Sequence, residues 1–102
     1  MNIMPRSRIS NWHYVYVIQS AKDNRFYIGY TTNLQIRLKQ HNAKTNFSTK
    51  SRTPFKYIYV ESCNNKYDAI RRENYLKTTQ GGRFLKLRLR EFFKNDLLKN
   101  YV

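Results

Sequence analysis

In the segment YIGYTTNLQIRLKQH (27–41) a helix is predicted to begin after the threonines, and charged and titratable side chains fall on its apolar stripe. Arg37 and His41 follow the same helical spacing as Leu34 and Leu38, so both are predicted to face inward. A guanidinium binds phosphate through charge-assisted hydrogen bonds, and an imidazole exchanges a proton near neutral pH. The helix is therefore predicted to border a polar site as well as a core.

A second helical segment places a carboxylate on its apolar stripe. Glu73 lies four residues after Ala69 and three before Leu76, and Lys77 follows it by four. A buried carboxylate is costly without a partner, so Glu73 needs a cation from the protein or a metal ion. Two structural alternatives stand beside a catalytic role: a salt bridge to Arg37, or a Glu–Lys pair at the helix end.

The small number of acidic residues limits the kind of metal site that is available. The chain has six Asp and Glu residues, and five of them are predicted at turns, at a strand end or on the last helix: Asp23, Glu61, Asp68, Glu91 and Asp96. These five do not form the carboxylate pair of a two-metal site. One ion on one carboxylate suits Mg²⁺, which keeps its waters and takes other ligands from phosphate.

Two predicted strands bring tyrosines toward the same region. Alternation puts Tyr14 and Tyr16 on one face of the first strand, and Tyr27 and Gly29 on one face of the second. If Tyr16 lies opposite Tyr27 in the hairpin, both hydroxyls emerge on one side, and Gly29 leaves an open place there. One space between the sheet and the first two helices is then expected to collect five side chains: Tyr16, Tyr27, Arg37, His41 and Glu73.

Periodicity and turn residues predict the elements that position these side chains. Strands are expected over 13–19, 26–30 and 55–62, and helices over 33–43, 67–78 and 83–95. The order β-β-α-β-α-α, with a hairpin between the first two strands, predicts an α+β domain. The expected fold is a three-stranded antiparallel sheet flanked by helices.

Local signals predict where two of the helices begin and end. Thr32 with Gln35 fits a capping box at the start of the first helix. Gly81 and Gly82 are expected to break the chain after the second helix. The alternating LKLRLR segment of the tail leaves a strand as an alternative to the third helix.

The composition predicts a polyanionic partner. Lys and Arg total 20 against six acidic residues, which gives a formal net charge of +14. A nucleic acid relieves the self-repulsion of such a charge, with acidic membranes and acidic proteins as weaker alternatives. The candidates for phosphate contacts lie in the loop after the first helix and on the second helix: Lys44, Lys50, Arg52, Arg71, Arg72 and Lys77.

The length of 102 residues predicts one domain over 13–102, preceded by a basic arm over 1–12. The arm lacks the apolar run of a secretory signal, and no segment approaches the ~20 apolar residues of a membrane span. The lone Cys63 precludes an internal disulfide. We therefore expect a cytoplasmic protein with no membrane partner.

The motifs YVY (14–16), YIG (27–29), RLKQH (37–41) and RRENYLK (71–77) together resemble the GIY-YIG nuclease superfamily. The resemblance is strongest to small stand-alone members related to the nuclease domain of the bacterial excision-repair incision subunit. It implies a metal-dependent endonuclease that hydrolyses phosphodiester bonds in DNA, with RNA as an alternative substrate. A role in DNA repair or recombination is implied by the resemblance alone.

The resemblance also implies a role for each motif residue. Tyr16 and Tyr27 match the motif tyrosines, Tyr14 and Gly29 are structural members of the motifs, and Arg37 matches the arginine on the scissile phosphate. His41 matches a position held by tyrosine or histidine, and Glu73 matches the ligand of a single Mg²⁺ or Mn²⁺. The general base stays open among three residues: Tyr16, Tyr27 and His41.

One departure from the family pattern supports a second function. The asparagine that many relatives carry after the glutamate is not evident, and Leu85 lies near its place. The alternative to a nuclease is a non-catalytic nucleic-acid-binding module on the nuclease fold.

Overall fold

The computed structural model describes residues 12–43 and 49–100. The elements in chain order are β1 (His13–Ser20), β2 (Phe26–Thr31), α1 (Leu34–Asn42), a 3₁₀ turn (Lys50–Arg52), β3 (Phe55–Cys63), α2 (Lys66–Leu76), α3 (Thr79–Arg88) and α4 (Arg90–Asn100). Most of the predicted arm and Lys44 lie outside the described residues. None of the helices in the described ranges has the length and apolar character needed to cross a bilayer.

The three strands form an antiparallel sheet in the order β2-β1-β3, so the α+β fold predicted from the sequence is confirmed. The central strand β1 is rich in β-branched and aromatic residues, which suit a strand with neighbours on both sides. Residues 15–20 of this strand are all buried, so helices cover both faces of the sheet.

The two faces of the sheet carry different cores. On one face Tyr16 and Ile18 pack with Leu34 and Leu38 of α1. On the other face Val15 and Val17 pack with a set drawn from α2 and α3: Ala69, Leu76 and Leu85. Because side chains alternate along a strand, β1 contributes to both cores, and α1 lies on the opposite face from α2.

The N-cap of the first helix lies one residue later than predicted. Asn33, and not Thr32, is the N-cap, and its Oδ1 accepts a hydrogen bond of 3.0 Å from the backbone N–H of Ile36. The capping-box prediction was therefore wrong in its residues. Asn33 caps the N–H group three residues after it, as Thr32 would have done for the N–H group of Gln35.

The tail of the chain contains two helices where one was predicted, and the strand alternative for LKLRLR was wrong. The α3 helix ends at Arg88, with Leu89 as its C-cap, before α4 begins. The predicted glycine break was also wrong, because Gly81 and Gly82 lie inside the first turns of α3. Thr78 is the cap of this helix, and its hydroxyl accepts from the N–H of Gly81 at 3.1 Å.

Close packing explains the glycine at position 81. A Cβ built on Gly81 would lie 2.5 Å from the Cα of Leu76 and would also overlap the backbone oxygen of Tyr75. The first turn of α3 therefore touches the end of α2 backbone to backbone. A Cβ on Gly82 would meet nothing within 4 Å.

This difference predicts opposite effects for two neighbouring substitutions. Gly81→Ala should lower the free energy of unfolding by about 1–3 kcal/mol, because a backbone overlap outweighs the gain in helix propensity. Gly82→Ala, the matched control, should raise it by up to about 1 kcal/mol. Urea unfolding followed by circular dichroism measures both values. A Gly81→Ala protein as stable as the unmodified chain would contradict the packing argument.

Candidate active site

A chain of buried hydrogen bonds joins β1, α1 and the segment before β3. The hydroxyl of Tyr16 lies 2.8 Å from Nε2 of His41, and Nδ1 of His41 lies 2.7 Å from Oγ1 of Thr49. All three residues have a relative exposure of 0%. His41, on the apolar stripe of α1, is therefore buried, and both of its ring nitrogens have hydrogen-bond partners.

The environment fixes the protonation states in this chain. Burial raises the pKa of Tyr16 to about 12, and hydrogen bonding and positive charge from Arg37 oppose that rise. Burial, and then the charge of Arg37, lower the pKa of His41 below its ordinary value. At neutral pH Tyr16 is therefore protonated and His41 is neutral, so one ring nitrogen of His41 donates and the other accepts in these two hydrogen bonds.

Arg37 lies half-buried beside this chain. Its Nη1 donates to the backbone oxygen of Tyr30 in β2 at 3.1 Å. Its Nε is buried and has no hydrogen-bond partner among the residues that the structure describes. A buried donor without a partner is costly, and Nε is the unsatisfied donor of this guanidinium among the described residues.

Tyr27 is the more accessible of the two motif tyrosines. It is half-buried, and its ring centroid lies 6.4 Å from that of Tyr16 and 5.1 Å from that of His41. Of the three candidates for the general base, two are enclosed by the protein. Tyr27 is the one with an exposed part that can meet a substrate.

The register of the hairpin differs from the expected pairing. Tyr16 lies opposite Gly29, and Tyr27 lies opposite Ile18, so the two tyrosines share a face but are offset along it. A Cβ at position 29 would lie 2.5 Å from Cζ of Tyr16 and would overlap its hydroxyl. The place expected to be open at Gly29 is therefore filled by the Tyr16 ring.

Among the described residues, Glu73 makes no hydrogen bond or ion pair with Tyr16, His41 or Thr49. Its helix covers the opposite face of the sheet from α1, so the expected single space between the sheet and both helices does not exist in this form. The side chain of Glu73 is 17% exposed, and its Oε2 accepts from Nζ of Lys77 at 2.8 Å. Of the structural alternatives for Glu73, the Glu–Lys pair is the one observed.

Most of the basic residues predicted to contact nucleic acid are engaged with carboxylates. Four ion pairs account for them: Arg52–Asp23 at 2.8 Å, Arg71–Asp68 at 2.7 Å, Arg72–Glu61 at 2.8 Å and Lys77–Glu73 at 2.8 Å. The hydrogen bond from Arg52, above all, holds the pKa of Asp23 at about 2. Lys50 is exposed in the 3₁₀ turn.

Two contributors to the site were missed from the sequence. Thr49 lies in a polar loop with no periodicity, which offered no signal. Tyr57 was readable as a strand residue, and its hydroxyl donates to the backbone oxygen of Leu34, which fixes the start of α1. Burial raises the pKa of Tyr57 to about 12, so this donor stays protonated.

The sheet, its covering helices and the cluster of Tyr16, Tyr27, Arg37 and His41 define the class of this protein. A family model described as the GIY-YIG catalytic domain matches residues 12–88. The chain therefore belongs to the GIY-YIG catalytic domain family, as its motifs predicted, and its fold is of the nuclease type.

The chain is also similar to small proteins of similar length. It is 43% identical to the UPF0213 protein SH2523 of Staphylococcus haemolyticus, over 74% of this chain and 92% of that protein. It is 42% identical to the UPF0213 protein OB0043 of Oceanobacillus iheyensis, over 82% of this chain and 95% of that protein. The solution NMR structure of the UPF0213 protein BH0048 from Bacillus halodurans is 32% identical, with a TM-score of 0.46 over 72% of this chain and 81% of that one.

The buried environment of His41 predicts how this residue titrates. Because its pKa is lowered from 6.5 in the folded state, the unfolded chain takes up a proton first as the pH falls. The folded protein should therefore lose stability below about pH 6.5. An NMR titration of the His41 ring should give a pKa under the ordinary value, with His41→Asn assigning the signal. A pKa at or above 6.5 would contradict the inferred effect of burial on His41.

Proposed function

We propose that the protein is a metal-dependent endonuclease that hydrolyses phosphodiester bonds in DNA. The observation that carries the proposal is the half-buried guanidinium of Arg37, held beside two tyrosines with a buried Nε that has no partner among the described residues. A phosphate oxygen is the acceptor that a guanidinium binds best. In a member of this family, such a donor is suited to the phosphate that is cleaved.

Arg37 is the proposed binder and stabiliser of the scissile phosphate. The hydrogen bond from Nη1 to the backbone oxygen of Tyr30 holds the guanidinium in place, and Nε is buried by the protein. Charge that grows on the phosphoryl oxygens is then met by a donor already in place. Fixed donors of this kind need no reorganisation as the reaction proceeds.

Tyr27 is the proposed proton acceptor for the attacking water. Tyr16, with a pKa raised to about 12, keeps its proton, and His41 is enclosed. Tyr16 and His41 are better suited to positioning Tyr27, since the hydrogen bond between them holds the ring of Tyr16 beside that of Tyr27. A phenolic base requires nearby positive charge, and Arg37 lies in the same cluster.

The donor chemistry at Glu73 fits a single Mg²⁺ or Mn²⁺. Within the described residues there is no group of three His, Cys, Asp or Glu side chains that could hold a metal, so an ion would have one protein carboxylate. Mg²⁺ is commonly bound in this way, with waters and substrate phosphate as its other ligands. When bound, such an ion supplies polarisation of the phosphate and stabilisation of the leaving oxygen.

The proposed DNA contacts are electrostatic and largely independent of sequence. Exposed basic residues on α1 and α3 add to the basic residues that are paired with carboxylates: Lys39, Arg83 and Lys86. Contacts of this kind give an affinity that falls steeply with salt concentration. RNA offers the same phosphates and stands as an alternative substrate. A role in DNA repair is proposed on family grounds alone.

One observation favours the alternative of a non-catalytic binding module. Leu85, near the place of the asparagine found in many relatives, is 7% exposed and belongs to the apolar core. It therefore adds no polar group to the site. The experiment below separates the two functions, because only the nuclease requires Glu73 for cleavage.

The test is a cleavage assay on plain, nicked and branched duplex DNA with Mg²⁺ or Mn²⁺. Glu73→Gln should reduce the rate at least ~100-fold while DNA binding persists, because one carboxylate holds the ion. Glu91→Gln is the matched control, since the side chain of Glu91 is 79% exposed. Tyr27→Phe should cost more activity than Tyr16→Phe if Tyr27 is the base.

Two outcomes would count against this function. Cleavage that is equal in Glu73→Gln and Glu91→Gln would remove the metal role from Glu73. Binding of DNA without cleavage on any substrate, in the unmodified protein, would instead establish the alternative function.

A further inference from the structure

Glu73 accepts fewer hydrogen bonds from the protein than the other half-buried glutamate, Glu61. Among the five carboxylates placed in ion pairs, its side chain is the least exposed, at 17%, against 21% for Glu61 and 35–79% for the others. Glu61 accepts two N–H groups from Arg72 and the hydroxyl of Tyr59. Within the described chain, Glu73 accepts one side-chain hydrogen bond, from Lys77.

The partner of Glu73 is easily displaced. The side chain of Lys77 is 48% exposed, and it belongs to the residue that caps the end of α2. An ammonium on a flexible four-carbon stem is a mobile point charge, unlike the fixed fork of Arg72 on Glu61. Pairs of this spacing on helices contribute little to stability, so little is lost when the lysine leaves.

A divalent cation and this ammonium compete for the same carboxylate. The ammonium already lies 2.8 Å from Oε2. A second cation on either oxygen of Glu73 would be repelled by it at close range, and the repulsion is stronger in a partly buried site. Binding of the ion therefore requires Lys77 to move away.

We propose that Lys77 is a place-holder for the metal ion on Glu73 and is released to the DNA phosphates when the ion binds. This inference rests on the proposed metal role of Glu73 and adds a residue that regulates it. In the free protein Lys77 neutralises a half-buried carboxylate and keeps it oriented. In the complex the released ammonium has three donors for phosphate oxygens.

The test measures Mn²⁺ binding in the absence of DNA, from the electron paramagnetic resonance signal of free Mn²⁺. Lys77→Met and Lys77→Gln should bind Mn²⁺ about tenfold more tightly than the unmodified protein, because a nearby unit charge is removed. Lys77→Arg, which keeps the charge, should stay close to the unmodified protein. The matched control is Lys66→Met, an equal charge change at the far end of α2, about 16 Å along the helix.

The result that overturns the proposal is an unchanged or weaker Mn²⁺ affinity in both Lys77→Met and Lys77→Gln, or no binding to either. An equal gain in Lys66→Met would overturn it as well, since net charge alone would then explain the effect. Glu73→Gln separates the two hypotheses. If it retains Mn²⁺ affinity, the ion is not on Glu73 and the proposed metal role fails, together with the place-holder that depends on it.

Discussion

The buried hydrogen bonds from Tyr16 through His41 to Thr49 are the constraint on which the arrangement of the site depends. They join the central strand, the first helix and the segment before β3, and each side chain is fully enclosed. A buried polar network is costly unless every member is satisfied, so the three elements are held to one relative position. Arg37 lies on the same helix as His41 and interacts with Tyr16, so the same network sets its position.

The few acidic residues of this strongly basic protein form ion pairs that hold basic side chains in place. Asp23, Glu61 and Asp68 each hold an arginine that would otherwise add to the repulsion of a +14 protein. Arg72 also lies 4.5 Å from the centroid of the Phe84 ring, which ties β3, α2 and α3 together. Arg52 and Arg72 in such pairs therefore join elements of the fold.

The parts of the fold that local pattern controls could be predicted from the sequence, and the parts that depend on tertiary contact could not. Strand alternation placed Tyr16 and Tyr27 on one face, but the register that offsets them depends on the turn. Helical spacing predicted that Glu73 faces inward, but spacing carries no information on which face of the sheet the helix covers. Gly81 was predicted to break a helix. The structure instead has a glycine there because the backbones of α2 and α3 approach each other closely, and local sequence pattern does not show this contact. Thr49 gave no signal, since a polar loop residue is normally solvated.

The contact between Gly29 and the ring of Tyr16 has a consequence for how the sequence can vary. Tyr16 of the YVY motif and Gly29 of the YIG motif are separated along the chain, yet the glycine supplies the space that the tyrosine ring fills. Position 29 can accept a side chain only when position 16 gives up its aromatic ring. A side chain at position 29 therefore requires a smaller residue at position 16, whereas a smaller residue at position 16 creates no clash with Gly29.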